Sequence, residues 1–320
     1  MELLNENGIS INETWAPVVI FLYNRPEHTK QMLECLDSNY GIENTEVFIF
    51  CDGPKGKSLD KKIESVRQIA TEFEKTSSAR RVKLFFSNHN NGLANSVIGG
   101  VSRVISKYKR VIVLEDDILV DKLFLKYINE ALIFYQNCKN IWSITGYSFE
   151  MKALRRYKHD IYYSYRGCSW SWATWLDRWN LVDWNVESFN IDKKNLNTIC
   201  RFNRGGLDLF DMLTDQMEGR IDSWAVRWCY SQSKNNMYTI YPRYALVKNI
   251  GCDGSGTHSG ITDKFVSNMR DNQNIRFEEL QINSKITREF RRKYGGTITK
   301  YLISKLLQEF KKFVKSIIRG

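Results

Sequence analysis

Short, β-branched apolar runs alternate along the first half of this chain with amphipathic stretches of helical period. Residues 17–23, PVVIFLY, read as a buried strand closed by Asn24, Arg25 and Pro26, and residues 27–36 then place Met32, Leu33 and Leu36 on one helical face. The runs at 47–51 (VFIFC) and 82–87 (VKLFFS) are the next strands, with helices expected over 63–75 and 94–106. Residues 111–114, VIVL, form the fourth strand; a helix over 122–136 and a strand over 141–145 (IWSIT) follow. Strands alternating with helices in this way predict an α/β fold around a mainly parallel sheet, whose inner strands are apolar throughout because helices cover both faces.

Three acids follow the fourth strand without a break. Glu115, Asp116 and Asp117 cannot lie unpaired inside the sheet, because a buried carboxylate either protonates or requires a cation. They belong at the carboxyl edge, where open α/β sheets bind ligands. If the backbone stays extended, Glu115 and Asp117 share one side and Asp116 takes the other. Hard oxygen ligands suit Mg²⁺ or Mn²⁺, which complete their shells with water and phosphate oxygens; a solvated strand-to-loop junction is the alternative. Arg25, at the end of the first strand, either grips a diphosphate bidentately or is a surface turn residue. Asp52, in the Asp52-Gly53-Pro54 turn, either accepts a hydrogen bond from a base or ribose or caps its own turn.

The second half differs in composition. Residues 157–184 are crowded with Tyr and Trp, which either stack on sugar rings or fill a core. Residues 220–230, RIDSWAVRWCY, predict a helix with Asp222 near its start, as an N-cap on the Ala225 N–H or as a base at the edge of a site. Residues 249–260, NIGCDGSGTHSG, carry His258 and form either a lid that excludes water from the chemistry or a plain surface loop.

With 320 residues, 42% of them hydrophobic, the chain is long enough for a large core, and no Gly/Ser-rich run marks an internal linker. The expected division is a catalytic domain over 1–285, with a nucleotide-binding half at about 15–120 and an acceptor half at about 121–285, followed by a basic tail over 286–320. The net charge of +11 is mostly a property of that tail, where Lys285 to Gly320 hold eleven Lys/Arg against two Glu. A body so near neutrality argues against an extended nucleic-acid surface. In the tail, Ile303, Leu306, Leu307, Phe310, Phe313, Val314, Ile317 and Ile318 recur at helical spacing among lysines, the pattern of a helix lying on an anionic membrane or packed on the body. Seven scattered cysteines without a C-x-x-C pair fit a reducing compartment, and neither a signal peptide nor a membrane span is legible. The expected location is the cytoplasm, peripheral at the inner face of the cell membrane.

Taken together, VVIFLYNRP, the Asp52-Gly53 turn, RVIVLEDDILV, RGCSWSWATWLDRW, IDSWAVRW and NIGCDGSGTHSG resemble the inverting GT-A glycosyltransferases over about residues 15–265. The nearest pattern is the N-acetylglucosaminyltransferase I type, through bacterial relatives that build surface polysaccharides. The resemblance implies a GT-A fold and transfer of a sugar from a nucleotide diphosphate sugar, UDP-linked such as UDP-GlcNAc, to a glycan or lipid-linked oligosaccharide. It implies that Asp117 holds Mn²⁺ or Mg²⁺, Asp116 binds ribose and Glu115 a metal-bound water or donor-sugar hydroxyl. Asp52 would face the uracil N3–H, Arg25 the diphosphate, and the loop with His258 would order over bound donor. Asp222 would be the catalytic base, although the family has two adjacent acids before its Trp, whereas Asp222-Ser223-Trp224 offers one acid a position further away. A sugar-nucleotide nucleotidyltransferase and a non-catalytic sugar-binding module on the same fold are the alternatives; the turn Asn24-Arg25-Pro26 lacks the Gly- and basic-rich phosphate cradle of the former.

Overall fold

The computed structural model describes residues 15–56, 60–254, 267, 269 and 274–295. Its first part is the alternation expected from the sequence: Val18–Leu22 (β1), Pro26–Asp37 (α1), Glu46–Cys51 (β2), Lys61–Thr76 (α2), Arg81–Phe86 (β3), Leu93–Tyr108 (α3) and Arg110–Glu115 (β4). Pro26 starts α1 at a position where its fixed φ suits a helix and its missing N–H would have no partner. Asp60 caps α2 by accepting from the Lys62 N–H at 2.8 Å.

β1 pairs in parallel with β2 and β4, and β2 with β3. Every residue of β1 is buried, and its successive side chains feed two different cores. Val18, Ile20 and Leu22 pack with Met32 and Leu36 of α1 and Val66 of α2, while Val19 and Phe21 pack with Val97 and Val101 of α3. The two-residue period of the strand thus places helices on both faces, the reason the run is continuously apolar.

After β4 come Ile118–Val120 (β5), Phe124–Phe134 (α4), Ile141–Thr145 (β6), Ile161–Ser164 (β7) and Trp172–Trp175 (β8). Four short helices follow, Leu176–Trp179 (α5), Phe189–Asp192 (α6), Leu196–Phe202 (α7) and Leu209–Met217 (α8). Trp224–Lys234 (α9), Tyr238–Pro242 (β9), Val247–Asn249 (β10) and Ser284–Lys293 (α10) complete the described chain. The main sheet runs β3-β2-β1-β4-β8-β6-β9-β7, and only β7 and β8 oppose the direction of its other strands. β10 pairs antiparallel with β5 in a separate ribbon, Asn249 opposite Ile118.

The aromatic stretch is core. β8, built from WATW, inserts antiparallel between β4 and β6, and Trp172 lies fully buried against Trp179, Trp224 and Trp228. The seven cysteines are all free thiols. Among the described residues no helix is long and apolar enough to cross a membrane. The amphipathic stretch over 297–320 lies outside the described residues.

Candidate active site at the carboxyl edge

Glu115 ends β4 opposite Phe21 of β1, and Asp116 and Asp117 then turn the chain rather than extending it. The two-sided alternation of an extended strand therefore does not hold here. Both aspartates meet Arg25 instead. The Arg25 Nε donates to Asp116 Oδ2 at 3.1 Å, its Nη2 donates to Asp116 Oδ1, and its Nη1 lies 3.0 Å from Asp117 Oδ2. The guanidinium, at the N-terminus of α1, is a bidentate clamp on one acid and a single contact on the next.

One guanidinium does not satisfy three carboxyl groups. Burial raises the Glu115 carboxyl, and the charges of Asp117 and Asp116 raise it further against the pull of Arg25. Burial likewise pushes Asp116 up to about 6, although Arg25 hydrogen-bonds to it. Asp117 Oδ1 is buried and has no hydrogen-bond partner. Such an oxygen is costly to leave alone and is a ready acceptor for a cation or for a ligand's donor.

The start of the glycine-rich segment closes over this group. The Ile250 N–H donates to Asp117 O at 2.9 Å, and a Cβ on Gly251 would fall 2.1 Å from Asp117 Oδ2 and 2.9 Å from Arg25 Nη1. Only glycine permits that approach. Asp253 Oδ2 reaches His28 Nε2 of α1 at 3.3 Å, a second tie between the segment and the edge. The sequence reading missed both contacts, because the three-residue pairing of β10 with β5 that aims the segment is too short to carry a periodicity. His258 lies outside the described residues.

A second group lies along the same edge. The Asp52 N–H donates to Leu22 O at the end of β1, at 2.9 Å. Its carboxylate accepts from the N–H groups of Gly53 (2.9 Å), Asn91 (2.9 Å) and Gly92 (3.1 Å), tying the loop over 88–92 that leads into α3 to the end of β2. Tyr23 stands beside it, its hydroxyl raised by burial and then by the Asp52 charge. Asp222 comes to the far side of Gly92, its Oδ2 3.6 Å from where a Cβ would stand.

Asp222 does not cap α9. The N-cap is Ser223, whose hydroxyl accepts from the Val226 N–H at 3.3 Å, because the helix begins one residue later than Asp222 requires for that role. The Asp222 side chain is 62% exposed, with Arg227 Nη2 3.7 Å from its Oδ1. Arg227 is itself held by the carbonyls of Ser223 and Trp184. Two other acids of this half are engaged elsewhere: Asp177 with Arg178 and Lys139, Asp183 with the N–H groups of Asn185 and Glu187. Among the described residues no group of three His, Cys, Asp or Glu side chains is arranged to hold a metal by itself.

No protein-family model matches the chain, and no curated protein matches it. Among solved structures it is similar to TarS of S. aureus, with a TM-score of 0.30 and 15% identity over 40% of this chain and 20% of that one. It is also similar to the galactosyltransferase LgtC in complex with donor and acceptor sugar analogues, with a TM-score of 0.36 and 10% identity over 70% of this chain and 72% of LgtC. An active-site mutant of LgtC gives a TM-score of 0.37 at 9% identity. At these scores the likeness carries no argument about activity, which has to be made from the site.

Proposed function

We propose that the chain is a GT-A glycosyltransferase, inverting in stereochemistry, that moves a sugar from a nucleotide diphosphate sugar to an acceptor hydroxyl. The observation that carries this reading is the clamp of Arg25 on Asp116 and Asp117 at the carboxyl edge of a parallel sheet, with Asp117 Oδ1 buried and unpartnered. That orphaned oxygen fits a divalent ion such as Mn²⁺ or Mg²⁺, which needs only one or two protein carboxylates when water and phosphate oxygens fill its remaining positions. Asp117 would hold the ion, and bound there it would supply Lewis-acid stabilisation of the charge that develops on the leaving diphosphate.

The protein's own groups then divide the work. Arg25 binds the diphosphate, and Asp116 the ribose. Glu115, whose carboxyl burial raises, offers a donor hydrogen bond to a sugar hydroxyl when protonated. Asp52, whose carboxylate ties down the loop over 88–92, is assigned the uracil N3–H. Asp222, exposed and free of capping duty, is the carboxylate that takes the acceptor's proton. The donor is UDP-linked and the acceptor a glycan or lipid-linked oligosaccharide, with the basic tail over 297–320 holding the enzyme on an anionic membrane. Sedimentation with anionic vesicles tests the tail: deletion of 297–320 abolishes binding, and binding that survives the deletion refutes this role.

A panel of UDP- and GDP-sugars with Mn²⁺, read by nucleotide release, tests the activity. Wild type turns over at least one donor, while Asp222→Asn stays folded, binds UDP and loses about 10²–10⁴ in rate. Retention of more than about a tenth of turnover removes Asp222 from the base role. Nucleotide binding without any turnover identifies a binding module. Formation of a sugar nucleotide from a nucleoside triphosphate and a sugar 1-phosphate identifies a nucleotidyltransferase.

A further inference from the structure

The opposite edge of the sheet carries a cavity of about 510 Å³. Pro17 before β1, Glu46 at the start of β2 and Arg110 at the start of β4 line it, whereas Glu115 closes β4 at the other end. Along the six residues of β4 that separation is about 17 Å at about 3.3 Å per residue, so the cavity is distinct from the acid cluster.

Its chemistry is cationic and aromatic. Arg80, Lys109 and Arg110 line it, and Arg81 comes within 3.9 Å of Glu46, the single acid of the lining. Glu46 also accepts from the Tyr108 hydroxyl at 2.8 Å. Trp15, Tyr108 and Trp175 contribute rings, and Asn44 and Gln136 contribute amides. Lys109 holds a left-handed backbone, φ 64°, at the junction of α3 and β4, a place that favours glycine.

We propose that this cavity binds a phosphate-bearing saccharide at a site separate from the catalytic edge. The exposed Arg80 guanidinium, and the Lys109 ammonium beyond its hydrogen bond to Ser106 O at 2.8 Å, suit a phosphate, the rings suit the apolar face of a pyranose, and the amides suit its hydroxyls. The volume falls within the range of about 300–1,000 Å³ usual for small-molecule sites. A nucleic acid would call for an extended basic track, and the near-neutral body does not provide one. The proposal stands independently of the glycosyl-transfer reading.

Calorimetric titration of the full chain with phosphorylated maltoheptaose, unphosphorylated maltoheptaose and inorganic phosphate tests it, on wild type and on the double variant Arg80→Ala/Lys109→Ala. Both side chains are exposed, so the variant folds. Wild type binds the phosphorylated oligosaccharide at least about tenfold more tightly than either other probe, and the double variant loses that margin while keeping the wild-type melting temperature. Equal affinity in wild type and variant overturns the proposal, since the basic tail alone then explains binding. Phosphate binding as tightly as the oligosaccharide, or a single-stranded RNA binding more tightly with the same sensitivity to the double variant, overturns it as well.

Discussion

At the scale of single residues, the site depends on two that sit against Asp117. Gly251→Ala places a methyl where only about 2.1 Å is open to Asp117 Oδ2, so the loop or the carboxylate must move. The expected result is a protein of near-normal melting temperature that has lost most of its UDP affinity in the presence of Mn²⁺. Unchanged affinity would show that the close approach has no part in donor binding. Arg25→Ala has a different signature, because it leaves Asp116 and Asp117 buried beside Glu115 without their guanidinium. Removal of one partner from a buried ion pair costs about 3–5 kcal/mol. Thermal unfolding should show a clear loss of stability, and a variant as stable as wild type would mean that the clamp is not holding these charges. The acids and Arg25 were legible in sequence because strand ends announce themselves. The turn at Asp116 was not legible, since nothing in E-D-D distinguishes continued extension from reversal. Nor was the engagement of the Asp52 carboxylate by the Gly53, Asn91 and Gly92 N–H groups, which only the packing of two loops creates.

At the scale of elements, the first four strands and their helices could be read because the period changes cleanly between them. β7 and β8 could not, because Tyr and Trp serve equally as core and as ligand platform. The burial of Trp172 among Trp179, Trp224 and Trp228 decides for core. Helix α6 is joined to α9 by a polar knot at Asp192, which accepts from Ser188, from Tyr230 at 2.5 Å and from Lys234 at 3.1 Å. Burial raises the Asp192 carboxyl, but those three donors together outweigh it and hold it below its ordinary value of 3.8. A carboxyl lowered by folding adds stability above its unfolded pKa, and that contribution is lost as the pH falls through the folded pKa. Asp192→Asn should therefore lower stability at neutral pH, by about 1.5–3 kcal/mol for hydrogen bonds to a charged group. The difference from wild type should shrink below about pH 4. Urea unfolding across that range measures it, and a difference independent of pH would contradict this source of stability.

At the scale of the whole molecule, residues 274–295 are strapped back across the body. The Arg276 N–H donates to Asp160 Oδ2 and the Leu280 N–H to the Tyr163 hydroxyl, while the Tyr135 hydroxyl donates to Glu278 O. α10 then buries Ile286 and Phe290, the latter against Phe149 and Tyr241, and Glu289 accepts from the Lys152 and Ala153 N–H groups. The first part of the basic stretch is thus joined to the core, which its composition alone did not reveal. Phe290→Ala should cost about 3–5 kcal/mol, and truncation after residue 295 should leave the melting temperature close to wild type. A large loss on that truncation would show that the remaining residues also support the fold. The central claim is that the carboxyl edge receives a nucleotide diphosphate through an ion held by Asp117. Calorimetric titration of UDP into wild type and Asp117→Ala, with and without Mn²⁺, tests it most directly. Mn²⁺ should tighten UDP binding at least about tenfold in wild type and have no effect in Asp117→Ala; equal affinity of wild type in both conditions would rule out an ion held by Asp117.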